Sequence, residues 1–105
     1  MQTLSFEAGP FATPNREIGA GLVGAVGSGN LEVLFEQAEL GGKVRFEIAT
    51  SVHGFDATWQ AVIQAFAERY RLADLVITIN DAGATPAVVG LRLMQAVEEF
   101  REGKS

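Results

Sequence analysis

The chain changes its hydrophobic period near residue 55. From Lys43 to Val52, Val44, Phe46, Ile48, Thr50 and Val52 fall on every second position, with Arg45 and Glu47 between them. That alternation describes a strand with one buried face. Beyond it, Trp59, Val62, Ile63, Phe66 and Tyr70 recur at helical spacing and form a single apolar stripe. A strand and a helix that each carry one apolar face are satisfied when they cover one another, which points to a layered arrangement.

The other elements follow from the same two periods. Thr3 to Glu7 alternates and opens the fold as a short strand, which Gly9 to Asn15, with its two prolines, ends. A glycine-dense segment runs from Gly19 to Gly29, and Leu31 to Glu36 is a strand. Gly41-Gly42 is a turn, so this strand and the next are expected to pair as a hairpin. Asp56 is placed to cap the first helix, which Arg71 to Asp74 closes. Leu75 to Asn80 is short, apolar and rich in β-branched residues, as a buried strand is. Thr85 followed by Pro86 starts a second helix, with threonine at the N-cap and proline at the first helical position. Val89, Leu93, Ala96, Val97 and Phe100 form its buried stripe, and Arg101 to Ser105 is a polar tail. The order is roughly ββββαβα. The fold class expected is an α+β two-layer sandwich, a mostly antiparallel sheet with two helices on one face.

Its 105 residues suit one domain, residues 1–105. There is no cysteine and one histidine, His53, so disulfides, thiolate metal sites and an all-protein zinc site are not expected. Thirteen Asp and Glu stand against eight Lys and Arg, and the cations do not cluster. That argues against nucleic acid as a partner. The N-terminus lacks the pattern of a signal peptide, and no apolar run approaches the roughly 20 residues that span a bilayer. A cytoplasmic protein without a membrane partner is expected.

Three motifs invite chemistry. Gly19-Ala20-Gly21-Leu22-Val23-Gly24 matches G-x-G-x-x-G, but a dinucleotide site needs a strand before the glycines and a helix opening from them. Here a proline-broken loop precedes and strand-like sequence follows, so a glycine-rich edge strand or bend is the better reading. Ser28, between Gly27 and Gly29, lacks the G-x-S-x-G spacing of a nucleophile elbow. A hydrolase using Ser28 and His53 is therefore disfavoured, and Gly-Ser-Gly on its own reads as turn chemistry. His53-Gly54 with Asp56, and Asp81 near Gly83, read as turn residues or helix caps.

Taken in order, several stretches resemble one family. Val26-Gly27-Ser28-Gly29-Asn30-Leu31-Glu32-Val33-Leu34, then Ala49-Thr50-Ser51-Val52 and Thr58-Trp59-Gln60-Ala61-Val62, resemble the acyl carrier subunit of malonate decarboxylase. So do Asp81-Ala82-Gly83-Ala84-Thr85-Pro86-Ala87-Val88-Val89, Leu91-Arg92-Leu93 and Gln95-Ala96. The likeness spans nearly the full chain.

The resemblance implies a non-catalytic carrier. Its Ser28 would bear 2'-(5''-phosphoribosyl)-3'-dephospho-CoA through a phosphodiester, with Gly27, Gly29 and Asn30 as the flanking attachment loop and no metal. The arm's thiol would hold acetyl and malonyl groups in turn while malonate becomes acetate and carbon dioxide. The implied partners are the acyl-transferase and decarboxylase subunits, the prosthetic-group transferase and a malonyl transferase. Asn30 departs from the aspartate the resemblance leads one to expect, and so removes a negative charge beside the future phosphodiester. Glu32 and Glu36 are expected to meet basic patches around partner active sites. The alternative from a different class is an unmodified protein-interaction module, in which the glycine-rich region only shapes a sheet edge.

Overall fold

The computed structural model describes residues 2–12, 24–28, 31–51 and 53–103. Among these the order is β1 (Gln2–Ala8), β2 (Gly24–Ser28), β3 (Leu31–Gln37), β4 (Val44–Thr50), α1 (Asp56–Tyr70), β5 (Leu75–Asp81) and α2 (Pro86–Gly103). The five strands make one sheet in the order β1-β4-β5-β3-β2. Three of its joints are antiparallel, and β4 pairs with β5 in parallel. The two-layer α+β reading holds. Val52, and Gly19 to Val23 of the glycine motif, lie outside the described residues; Gly24 belongs to β2, an edge strand.

One pairing differs from expectation. β3 and β4 do not form a hairpin, because β5 lies between them and hydrogen-bonds to both. The Gly41-Gly42 turn carries the chain past β5 instead of back onto a neighbour. Both glycines have positive φ, 65° and 89°, a conformation that costs little without a Cβ. Asp74, just ahead of β5, holds that turn. Its Oδ1 accepts the N–H groups of Leu40 (3.1 Å) and Gly42 (2.9 Å), and its own N–H donates to the carbonyl of Lys43 at 2.7 Å. The hairpin observed is β2–β3, joined through positions 29 and 30.

The core lies between the sheet and the helices. Val44, Phe46 and Ile48 of β4, Leu75, Ile77 and Ile79 of β5, and Leu31, Val33 and Phe35 of β3 are buried. Against them pack Trp59, Ile63, Phe66 and Tyr70 of α1 and Val89, Leu93, Ala96 and Val97 of α2. The rings of Phe46 and Phe66 meet edge-on at 6.1 Å between centroids, a favoured aromatic geometry that joins the layers.

The helix ends divide between expectation and correction. Thr85 caps α2, its hydroxyl accepting the N–H of Val88 at 3.4 Å, with Pro86 first in the helix. Asp56 does not cap α1. The N-cap is Phe55, without a side-chain bond, and the Asp56 carboxylate accepts from the Gln2 amide at 2.9 Å. It still lies in the first turn, where a negative charge meets the positive end of the helix dipole. Arg71, in the left-handed conformation, ends α1 and donates its N–H to the Ala67 carbonyl.

Candidate functional site

One row of register partners crosses the whole sheet and ends at Ser28. Gln2 of β1 stands opposite Thr50 of β4, Thr50 opposite Asp81, Asp81 opposite Leu31, and Leu31 opposite Ser28. Since β5 and β2 each run antiparallel to β3, they run the same way, as does β4. The carboxyl ends of β2, β4 and β5 therefore share one end of the sheet. The helices start there too, α1 six residues after Thr50 and α2 five after Asp81.

That end is fixed by a buried polar knot. The Asp81 carboxylate, 2 % exposed, accepts the Thr50 hydroxyl at 2.9 Å on one oxygen. Its other oxygen accepts the N–H groups of Gly83 (3.1 Å) and Ala84 (2.6 Å), and its carbonyl accepts from the N–H of Ser51. A carboxylate can be buried when its lone pairs are this fully engaged. The knot ties the parallel strand ends to the turn that launches α2. Asp81 is thus a turn residue, as expected, and also the anchor of this end of the sheet. The signal for that second role is an aspartate closing an apolar strand in register with a threonine closing another, which requires the β4–β5 pairing to be known.

Ser28 is the last residue of β2, the strand at one edge of the sheet, and Gly27 beside it faces Glu32 across the β2–β3 joint. Gly29 and Asn30 lie outside the described residues. Glu32 is exposed and accepts a long hydrogen bond, 3.5 Å, from the Asn80 amide. It stands with exposed Glu36 on the sheet face opposite the helices. His53 is exposed and follows β4. Three strand spacings, about 14 Å, separate the end of β4 from that of β2, so the fold gives Ser28 no base from this loop by strand adjacency. Among the described residues no group of His, Cys, Asp and Glu is arranged to hold a metal, and no helix is long and apolar enough to cross a membrane.

A five-stranded mixed sheet under two helices, with β2 at one edge and Ser28 as its last residue, defines a small two-layer α+β domain. It is unlike a helical bundle. Residues 19–100 match the acyl carrier family described as the malonate decarboxylase delta subunit (MdcD). The chain is 50% identical to the malonate decarboxylase acyl carrier protein of Stenotrophomonas maltophilia strain K279a, over 99% of this chain and 98% of that one. It is 60% identical over 77 residues, 73% of each chain, to the protein of the same name from Xanthomonas euvesicatoria pv. vesicatoria strain 85-10. A chain of the crystal structure of a Pseudomonas malonate decarboxylase hetero-tetramer in complex with malonate superposes with a TM-score of 0.70 at 40% identity, over 95% of this chain and 99% of that chain. This chain belongs to the malonate decarboxylase acyl carrier (delta subunit) family.

Proposed function

We propose that this chain is the acyl carrier subunit of a cytoplasmic malonate decarboxylase, and that Ser28 bears 2'-(5''-phosphoribosyl)-3'-dephospho-CoA through a phosphodiester. The observation that carries this reading is the position of Ser28 at the end of an edge strand, three residues before β3 begins. A transferase must enclose the hydroxyl it modifies, and among the described strands β2 has one sheet neighbour, β3. Gly27 adds no side chain beside Ser28. Gly27 is thus compatible with a bulky group joined at this position.

When bound, the group supplies a thiol that carries acetyl and malonyl units as thioesters, which a chain without cysteine lacks. The protein's share is placement. The Thr50–Asp81 knot holds the carboxyl ends of β4 and β5, β5 holds β3, and β3 holds the strand that ends in Ser28. A tether rooted on that frame raises the effective concentration of its cargo at the acyl-transferase and decarboxylase subunits. Glu32 and Glu36 orient those encounters toward basic surfaces. The carrier provides no acid or base of its own.

The test is an intact mass of the chain purified from cells that also make its prosthetic-group and malonyl transferases, beside Ser28→Ala. The expected result is an added mass equal to phosphoribosyl-dephospho-CoA on the native chain and none on the variant. An unmodified native chain, with the transferase shown to be active on another carrier, would return Ser28 to turn chemistry and leave the interaction module in its place.

A further inference from the structure

The two helices leave an open groove of about 630 Å³ between them. Val62, Phe66 and Arg69 of α1 and Gly90, Leu91 and Met94 of α2 line it. The helices make their close pass at Gly90, where a Cβ would stand 2.6 Å from Cγ1 of Val62. Toward their C-terminal ends they are joined again, the Tyr70 hydroxyl donating to Oε1 of Glu98 at 3.2 Å. The groove lies along the seam between these two fixed points.

Its lining is apolar with one charged exception. Arg69 is the charged residue among the described lining residues, and its guanidinium lies over the Tyr70 ring, 5.4 Å from the centroid. Such a contact favours a set orientation of the cation. Leu91, which lines the groove, is 51% exposed, and Val88, three residues before it on the same helix, is 44% exposed. An isolated exposed aliphatic needs no explanation, but one that lines a concave apolar surface marks an interaction site.

We propose that this groove is where the carrier is anchored in its complex, by a partner-subunit segment that inserts an apolar side chain and brings a carboxylate to Arg69. The charge selects that occupant. In an apolar groove with one guanidinium, an apolar body bearing a carboxylate satisfies both features, whereas a wholly apolar segment leaves the cation desolvated and unpaired. The proposal rests on reading the chain as a subunit of a hetero-oligomeric decarboxylase, and is independent of Ser28 as the attachment residue. It divides the molecule's labour. The helix layer holds the carrier in place, while the end of β2 presents the serine.

The experiment is co-expression of the full chain with the other subunits of its decarboxylase, with the retained carrier measured by native mass spectrometry and gel filtration. Leu91→Asp and Arg69→Glu are compared with the native chain, Leu91→Met, Leu34→Asp and Ser28→Ala. Positions 34, 69 and 91 are exposed, and circular dichroism of each isolated variant checks that it folds. Leu91→Asp and Arg69→Glu are expected to weaken retention at least tenfold, while Leu91→Met, Leu34→Asp and Ser28→Ala assemble normally. Full retention of both groove variants would overturn the proposal. Loss of assembly with Leu34→Asp alone would also overturn it and move the interface to the open sheet face. A native chain that dimerises by itself, and is made monomeric by Leu91→Asp, would assign the groove to a second copy instead. A native chain that joins no complex would remove the parent reading along with this one. Because the mass shift on Ser28 is scored separately, failure of the groove and failure of the attachment site are distinguishable.

Discussion

The Thr50 hydroxyl donates to Oδ2 of Asp81 at 2.9 Å, across the one parallel joint among the described strands. Both residues are buried, and each closes its strand. The bond therefore fixes the relative ends of β4 and β5, and through the β5–β3 and β3–β2 ladders it sets the level at which Ser28 stands.

The two partners should differ in cost when removed. Asp81→Ala strips acceptors from the Thr50 hydroxyl and from two backbone N–H groups. The first bond is buried and the other two are part-buried; at about 1 kcal/mol or somewhat more for each bond lost, a loss of about 3–4 kcal/mol is expected from urea unfolding. Thr50→Val leaves Asp81 two of its three donors and should cost about 1–2 kcal/mol. Equal losses for the two variants would contradict this account.

At the opposite end of the sheet, Asp74 does comparable work on the Gly41-Gly42 turn. Asp74→Ala loses the bonds to Leu40 and Gly42, and also places alanine at φ 58°. Asp74→Asn keeps an oxygen acceptor and a residue type that tolerates the left-handed region. The expected order of thermal stability is native, then Asn, then Ala, with the alanine variant lower by about 2–3 kcal/mol. An alanine variant as stable as the asparagine one would sink this assignment.

The surface ion pair of Glu7 and Arg45 offers the contrast. Its atoms lie 3.3 Å apart, but the side chains are 47% and 40% exposed. Water screens such a pair, and its contribution is about 0–1 kcal/mol. Glu7→Gln should leave the urea midpoint nearly unchanged, and a shift as large as that of Thr50→Val would be inconsistent with the geometry.

These contrasts follow what local sequence can and cannot encode. The alternation through β4 as far as Thr50, the stripe of α1 and that of α2 as far as Val97 are legible because burial period is a property of consecutive residues; the side chain of Phe100 lies outside the described residues. The Thr85-Pro86 start of α2 is legible too. The β3–β4 hairpin that the sequence suggests does not form, because a short glycine turn is equally consistent with passing over an intervening strand. What decides it is β5, whose seven residues pair on both sides with partners far away in sequence. Asp56 does not act as the expected cap for a similar reason, since Gln2, 54 positions earlier, engages its carboxylate. Ser28 stands out in the sequence as a serine between two glycines, which by itself reads as turn chemistry and does not give its place at the end of β2. Its alignment with Leu31, Asp81 and Thr50 required the strand order.

Charge near the serine should act on encounter rates. Glu32 and Glu36 are exposed, and Glu32 faces Gly27, next to Ser28. The double variant Glu32→Lys, Glu36→Lys should slow modification by the prosthetic-group transferase several-fold at low ionic strength, with the difference shrinking as salt screens it. A rate unaffected by the reversal at every ionic strength would remove these residues from docking.

The close pass of the helices yields the last prediction. Gly90 is buried, and an added Cβ would lie 2.6 Å from Cγ1 of Val62, a branched side chain with few alternative rotamers. Gly90→Ala gains about 1 kcal/mol of intrinsic helix propensity, but forcing a methyl into packed space costs about 1–3 kcal/mol. The single variant should therefore be no more stable than the native chain, and most plainly destabilised if α1 cannot move away. Val62 is half-buried, so Val62→Ala should cost modestly alone and relieve the collision in the double variant. The mutant cycle is thus expected to show favourable coupling, the double variant being more stable than the sum of the two single effects. Simple additivity would mean that the helices part freely at Gly90, and the groove beside it would then lack a fixed width.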